Sequence, residues 1–419
     1  MCYTISMKIA ILGYGKEGQS AEKYFKNQTA EITVFDNFTT DALQGQDFSS
    51  YDLVFRSPSV PPLESTWTSV TKYFFDHCPC KIIGVTGTKG KGTTSSLITA
   101  ILTALGYKVW LVGNIGNPAL DILDEVQPND IVVYEMSSFQ LWDLEKSPHV
   151  AVVLGIEPDH LNVHRDYDDY VAAKANIATH QTTTDYCVYN QTNSDAKAIG
   201  EQSAGKHLPY PITTDRTALD RVLDQLSIPG QHNRDNAEAA LFATSAYLDK
   251  DLNSLLIEQT AVIETALHNF QGLPHRLEFL RELNGVRYYD DNFSSALPSL
   301  DVALSTFTKQ PLFLIAGGFD RGIDQAPTQR RIFSAPNLKK VFLIGQTSGK
   351  IAAGQDQNRY QLCSNLEDAF NAARHAAESA AAASGKPVVL LMSPGAPSFD
   401  MFQNFVERGQ IFQKLVQEA

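Results

Sequence analysis

Ile82-Ile83-Gly84-Val85-Thr86-Gly87-Thr88-Lys89-Gly90-Lys91-Gly92-Thr93-Thr94 joins a β-branched apolar run to a glycine-rich turn, a lysine and two threonines, and a helix-like segment, 95–105, follows. Strand, glycine turn, lysine and helix are the layout of a phosphate-binding loop. Glycines let backbone N–H groups turn toward a polyphosphate, and the helix adds its positive N-terminal end. In such a loop Gly87, Thr88, Lys89, Gly90, Gly92 and Thr93 line the cradle and Lys91 reaches the outer phosphates. Two positions depart from the commonest spacing: Val85 stands five before Gly90 where a glycine is usual, and Gly92 follows the lysine where a Ser or Thr usually serves a metal ion. That hydroxyl must come from Thr93 or Thr94, or be replaced by water.

Upstream, an apolar strand over 8–12 runs into Gly13-Tyr14-Gly15-Lys16-Glu17-Gly18, an amphipathic helix to about residue 26 and a second strand, 31–35, ending at Asp36. This βαβ opening carries GxGxxG and an acidic residue some twenty positions on, the dinucleotide fingerprint. It predicts a nucleotide-like ligand, of which a redox cofactor is one case; a turn that only packs helix on strand is the plainer alternative. A third strand, 53–55, meets Arg56-Ser57-Pro58-Ser59-Val60-Pro61-Pro62, a rigid loop where open α/β sheets place ligands.

Downstream of the phosphate loop, strands at 109–112, 131–135 and 150–154 alternate with helices, as in a parallel sheet. A long helical stretch runs from about 228 to 268. Gly272-Leu-Pro-His-Arg276 marks a junction, after which strands are expected at 277–280, 286–290, 312–316, 340–344 and 388–392, with an Ala-rich helix over 369–383 stopped by Gly385 and Pro387. The expected fold is α/β in three domains: a Rossmann-like N-terminal domain (1–80), a central P-loop-type ATPase domain with a parallel sheet (81–270) and a Rossmann-like C-terminal α/β domain (271–419).

Chemistry-bearing residues cluster at strand ends. Glu135 closes the buried run Val132-Val133-Tyr134, and Glu157, Asp159 and His160 follow the next strand. A strand-end charge is most often simply solvated. Two such ends beside one phosphate loop favour a metal-phosphate site. Lys174 lies among alanines at 172, 173, 175 and 178, which favours partial burial over the usual surface lysine. In Gln231-His232-Asn233-Arg234-Asp235-Asn236 the amides either cap a helix or bind a nucleotide, and Arg276, at a domain junction, is placed to meet a phosphate.

The 419 residues carry a formal charge of −13, which opposes a nucleic-acid surface, and no long apolar run that would span a membrane. Five cysteines form no disulfide framework or metal pattern; Cys78-Pro79-Cys80 has no second pair. With no export signal visible, a cytoplasmic location is expected.

Taken in order, Gly87-Thr88-Lys89-Gly90-Lys91, Gly113-Asn114-Ile115-Gly116, Glu135-Met-Ser-Ser-Phe-Gln140, Asp159-His160, Lys174, Gly230-Gln-His-Asn-Arg-Asp-Asn236, Gly272-Leu-Pro-His-Arg276 and Asp291 resemble the motif series of the Mur ligases, the ATP-dependent amino-acid ligases of peptidoglycan synthesis. Ser137-Ser138-Phe139-Gln140-Leu141 and Ser393-Pro-Gly-Ala-Pro-Ser398-Phe-Asp-Met-Phe-Gln-Asn-Phe405 most resemble the branch that adds D-glutamate to UDP-N-acetylmuramoyl-L-alanine. The resemblance implies that the opening GxGxxG faces UDP, with Lys16, Glu17, Asp36, Asn37 and Ser59 at the uracil and diphosphate contacts and Asn114, Ser137 and Gln140 toward the UDP-linked substrate. It implies ATP at Lys91, Asn233, Asn236, Arg276 and Asp291, and two Mg²⁺ ions, with Glu135, His160 and Thr93 as ligands. Lys174 would be N6-carboxylated and serve the second ion. Arg321, Ser398, Phe399 and Phe405 would surround the incoming amino acid, and Lys91, His160, Lys174 and Arg276 would be the catalytic group. A monomer is the family-level expectation.

Two further positions depart from the family: it usually has lysine where Phe293 stands, and its glutamate-adding members often have lysine where Arg321 stands. Rival readings are weaker. Folylpolyglutamate-type ligases normally lack a full UDP-binding domain such as 1–80 supplies; an NAD(P)-dependent oxidoreductase leaves Lys91 unexplained; and a non-catalytic nucleotide-binding regulator has no use for Lys91, Glu135, His160, Lys174 and Arg276 together.

Overall fold

The computed structural model describes residues 7–28, 30–36, 43 and 45–419. Asn37, expected at the UDP site, lies outside them. The chain divides into two compact units: one runs to Leu226 and resumes over His232–Phe270, and the other takes Ser227–Gln231 and Gln271–Ala419.

The first unit holds two parallel sheets. The N-terminal one pairs β1 (Lys8–Leu12), β2 (Glu31–Phe35), β3 (Leu53–Arg56) and β4 (Thr68–Ser69) in the order β2-β1-β3-β4. The second orders β5 (Ile82–Thr86), β6 (Val109–Gly113), β7 (Ile131–Glu135), β8 (Val150–Val153), β9 (Tyr186–Asn190) and β10 (Lys206–Tyr210) as β10-β9-β8-β5-β7-β6. In both, the chain leaves the sheet toward opposite sides around one strand, β1 or β5. The C-terminal end of such a strand is the crevice where open parallel sheets hold ligands, and both glycine loops stand there. β5, β7 and β8 are buried throughout, as strands covered on both faces must be. That is why they read as mainly apolar runs, with β5 and β7 closing on the buried Thr86 and Glu135.

The phosphate-loop helix spans Lys91–Ala104, starting four residues before its expected start. Gly90 takes the left-handed conformation (φ 87°) and the helix begins at once. Thr93, Thr94 and Ser95 hid that turn from a reading based on apolar period. The single helical stretch expected to 268 is three helices, Gln231–Tyr247, Leu252–Glu258 and Thr260–Asn269. The first break follows from Asp249 (φ 51°) and from Asp251, whose carboxylate caps the next helix at Ser254 N.

The second unit carries β11 (Glu278–Leu283), β12 (Val286–Asp290), β13 (Leu312–Gly317), β14 (Leu338–Ile344), β15 (Tyr360–Leu362) and β16 (Val388–Met392) in the order β11-β12-β16-β13-β14-β15, parallel except for the β11–β12 hairpin. The Ala-rich helix runs over Leu366–Ser384, capped by Asn365 at its start and by Gly385 (φ 63°) at its end.

Candidate active site

The turn after β1 is shaped by its glycines. Gly13 has φ 88°, and a Cβ on Gly18 would lie 2.3 Å from Gly13 O, whereas nothing stands within 4 Å of a Cβ on Gly15. Helix and strand therefore pack closely while the middle glycine leaves open space above the backbone, the geometry a diphosphate needs. Asp36 Oδ1 accepts from Tyr14 N at 3.3 Å, tying the acidic residue to this loop. Lys16 and Ser59 are exposed. Glu17 turns its carboxyl inward: Oε1 accepts from Gln140 Nε2 at 2.6 Å, and Oε2 is buried without a partner. Burial pushes this carboxyl up to about 7 against the lowering pull of Gln140 and Arg56.

Gln140 belongs to a capping box with Ser137. Ser137 N donates to Gln140 Oε1 at 2.8 Å, and Gln140 N donates to Ser137 Oγ at 3.3 Å. Both residues, expected near the substrate, thus fix the short helix Ser138–Leu141 after β7. Arg56, only 1% exposed at the end of β3, binds the same region. Its guanidinium takes both oxygens of Asp143 and donates to Phe139 O at 3.2 Å. Nothing in the sequence marked this arginine beyond its place before a Ser-Pro loop.

The second glycine loop is tighter. Gly87 has φ 147°, and a Cβ there would lie 2.6 Å from Leu154 Cβ; at Gly90 it would lie 2.4 Å from Asn236 Oδ1. Asn236 thereby stands against the loop, with Asn233 3.4 Å from its amide. Thr88 anchors the turn, donating from N to Gly155 O at 2.8 Å and pairing its hydroxyl with Tyr170 at 2.9 Å. Exposed Lys89 pairs with Glu157 at 3.2 Å. Lys91 Nζ donates to Gly87 O and Thr88 O, both at 3.0 Å, so the ammonium sits inside the turn.

Lys174 reaches the same turn from the helix Tyr167–Thr179. Only 1% exposed, it donates to Gly87 O at 2.9 Å and lies 4.8 Å from the Tyr170 ring centroid. Burial first, and then the charge of Lys91, hold its amine well below the usual lysine range, despite Asp159 and Glu135. Glu135, at the end of β7, is 3% exposed; Oε1 accepts from Asn114 Nδ2 at 3.1 Å, while Oε2 is buried without a partner. Thr94 Oγ1 and Ser95 Oγ, in the first turns of the loop helix, are likewise buried and unpartnered, whereas Thr93 is only half-buried. Orphaned buried oxygens of this kind fit a divalent cation, which takes carboxylate and hydroxyl ligands. Thr94 is thus the better-buried of the two candidate hydroxyls.

His160 is half exposed at φ 55°, its ring edge-on to Phe139 at 5.0 Å. Four residues on, His164 is buried and went unread in the sequence. Its Nε2 meets Ser138 Oγ at 2.9 Å, its Nδ1 meets Asp169 Oδ2 at 3.2 Å, and its ring stacks on Phe139 at 5.1 Å. The His-x₃-His spacing was the available signal.

The second unit brings Arg276 and Asp291 to the strand ends of β11 and β12. Asp291 accepts from Ser393 Oγ at 2.6 Å and from Leu277 N at 3.2 Å, and burial pushes its carboxyl up to about 7. The Arg276 guanidinium lies 3.8 Å from the centroid of Phe293, and Phe405 meets Phe293 edge-on at 5.1 Å. An aromatic face therefore stands where the family's lysine was expected, supporting an arginine. Arg321 and Phe399 are exposed and Ser398 is buried. Among the described residues one trio, His275, Glu278 and Asp290, has potential ligand atoms within 4.8 Å of one another. Its acceptors are occupied: His275 Nδ1 meets Asp290 at 2.7 Å, and Gln413 Nε2 donates to both carboxylates at 3.0 Å.

A parallel sheet whose switch point carries a glycine-lysine turn, with a second lysine and an unpaired carboxylate oxygen beside it, defines a phosphate-loop α/β protein. Comparison with known proteins narrows the class. The Mur ligase middle domain model matches residues 85–218. A UDP-N-acetylmuramoylalanine–D-glutamate ligase of Clostridium tetani is 31% identical, over 99% of this chain and 97% of its own length. Its counterpart from Acetivibrio thermocellus is 33% identical over 98% and 96%. The crystal structure of a MurF ligase from Thermotoga maritima in complex with ADP shares the fold, with a TM-score of 0.58 and 15% identity over 99% of this chain and 96% of that one. The chain belongs to the Mur ligase family.

Proposed function

We propose that this chain is an ATP-dependent ligase that adds D-glutamate to UDP-N-acetylmuramoyl-L-alanine in the cytoplasmic synthesis of peptidoglycan precursors. What carries the reading is the meeting of Lys91, Lys174 and the glycine turn at the end of β5, near the orphaned oxygen of Glu135, in a chain whose full-length relatives bear that activity in their names. The division 1–80, 81–270 and 271–419 is retained as a functional one: UDP-substrate, ATP and amino acid.

A carboxylate is a poor acyl donor. Transfer of the γ-phosphoryl of ATP to the terminal alanine carboxylate makes an acyl phosphate; the amine of D-glutamate attacks it, and the tetrahedral adduct collapses to an amide and phosphate. The protein's part is positioning and charge. Lys91 leaves the turn's carbonyls for the phosphates, and the backbone N–H groups of 87–93 hold them. Asn233, Asn236, Arg276 and Asp291 are assigned to ATP. Lys16, Glu17, Asp36, Ser59 and Asn114 are assigned to the UDP-linked substrate, whose remote binding contributes to the reaction. Arg321, Ser398, Phe399 and Phe405 are assigned to the amino acid, where Arg321 can grip a carboxylate through two parallel hydrogen bonds.

Glu135, His160 and Thr94 or Thr93 would hold Mg²⁺, which supplies charge neutralisation on the phosphates. Lys174 supports a second ligand role: an amine held neutral by burial is the form that adds CO₂, and a carboxylated Lys174 would pair with the second ion. Among the described residues no helix is long and apolar enough to cross a membrane; the acidic chain, without nucleic-acid or lipid partner, is expected to act as a monomer.

The test is phosphate release from ATP with Mg²⁺, UDP-N-acetylmuramoyl-L-alanine and each candidate amino acid. Release that requires D-glutamate supports the reading. Release with another amino acid retains the mechanism and moves the pocket assignment; none with any of them overturns the ligase.

A further inference from the structure

Cys78 and Cys80 flank Pro79 in the link between the helix Val70–His77 and β5. Their sulfurs stand 3.7 Å apart, and Cys78 Sγ is also 3.6 Å from Cys80 O. Proline fixes its own φ and restricts the residue before it; Cys78 is accordingly extended (φ −64°, ψ 123°). Both thiols are half-buried and line an open cavity of about 370 Å³ that also involves Lys81, Lys146, His149 and Asp185. That volume is within the range of small-molecule pockets. Lys81 Nζ is 3.3 Å from His149 Nε2, and His149 Nδ1 is 2.9 Å from Asp185, so the wall carries polar groups and cations beside the sulfurs. No step of the ligase reaction uses this pair.

We propose that Cys78 and Cys80 are a reactive dithiol that exchanges with a low-molecular-weight disulfide entering this cavity and closes to an intramolecular disulfide. The Cys78 thiolate attacks one sulfur of the incoming disulfide, breaks its S–S bond and releases one thiolate, which takes up the Cys80 proton. The Cys80 thiolate then attacks the Cys78 sulfur, breaks the mixed disulfide and releases the second thiolate, which takes from solvent the proton that Cys78 gave up on ionising. The protein loses two electrons and two protons, and the small disulfide gains them.

The 3.7 Å contact lets one sulfur share the other's proton, which lowers the Cys78 thiol and raises Cys80. Attack requires the thiolate, and a proton shared between the sulfurs leaves one of the pair ready to attack. Cys187 contrasts with them: fully buried, its thiol is pushed up to about 12.

The full-length reduced protein is equilibrated with glutathione and glutathione disulfide at a series of ratios, alkylated in denaturant so that buried thiols react, and mapped by peptide mass. The proposal expects the peptide spanning Cys78 and Cys80 to lose two hydrogen atoms, so that two of the five cysteines stop taking the alkylating reagent while Cys187 and Cys363 still take it. C80S and C78S are each expected to trap one glutathionyl group on the remaining thiol and to form no intramolecular disulfide. Full alkylation of both thiols at every ratio, or a mixed disulfide that persists in the unaltered chain, would overturn it. No glutathionyl group on the remaining thiol in either variant would overturn the exchange step.

Discussion

Lys174 is the residue where burial and chemistry conflict most. Its amine binds a proton less tightly in the folded chain than in the unfolded one, so stability rises with pH toward the ordinary lysine value. Lys174→Met removes that slope and is expected to raise stability by about 1–3 kcal/mol at neutral pH, measured by urea unfolding, while cutting phosphate release at least ~100-fold. Glu17 has the opposite sign. Its carboxyl is raised to about 7, so its contribution is full below the ordinary glutamate value and is lost as pH rises through 7. Glu17→Gln should therefore match the unaltered chain near pH 5 and exceed it by about 1–2 kcal/mol near pH 8; equal stability at both pH values would contradict the buried-carboxyl account. Phe293 supports the Arg276 guanidinium at 3.8 Å. Losing a stack worth about 1 kcal/mol should raise the KM for ATP about fivefold in Phe293→Ala, with Phe293→Tyr restoring it. A KM unmoved by Phe293→Ala would remove Phe293 from the nucleotide site.

At the scale of elements, the glycine turn after β5 decides the most. Gly90→Ala places a Cβ at φ 87°, 2.4 Å from Asn236 Oδ1, and is expected to cost about 1–3 kcal/mol together with most ATP binding, read by calorimetry. The sequence displayed these elements unequally. β5, β7 and β8 were plain because a strand buried on both faces must be mainly apolar, and both glycine motifs were plain because few other residues tolerate their backbone. The edge strands β10 and β15 were not: Lys206–Tyr210 carries Pro209 and polar residues, and Tyr360–Leu362 is too short to show a period. The start of the loop helix at Lys91 was masked by hydroxyl residues. Of the site, Lys91 could be read from its glycine turn, and Glu135 and Lys174 because each is a charge in an apolar setting. Arg56 could not, because its partner Asp143 becomes a neighbour only when the chain folds, and His164 offered only its spacing from His160, since Ser138 meets it only in the folded chain.

At the scale of the whole molecule, residues at the ends of three sheets are assigned to three substrates, with Asn114, Arg276 and Asp291 serving a substrate other than their own sheet's main one, and all three substrates enter one reaction. The alanine carboxylate of the UDP-linked substrate is expected to be phosphorylated before the amine attacks. That carboxylate, labelled with ¹⁸O, is incubated with ATP, Mg²⁺, D-glutamate and the protein, and phosphate and product are weighed by mass spectrometry. Each product heavier by one glutamate residue should be matched by a phosphate carrying one ¹⁸O, because the oxygen that received the phosphoryl group leaves with it. Product formation with unlabelled phosphate would contradict the acyl-phosphate route.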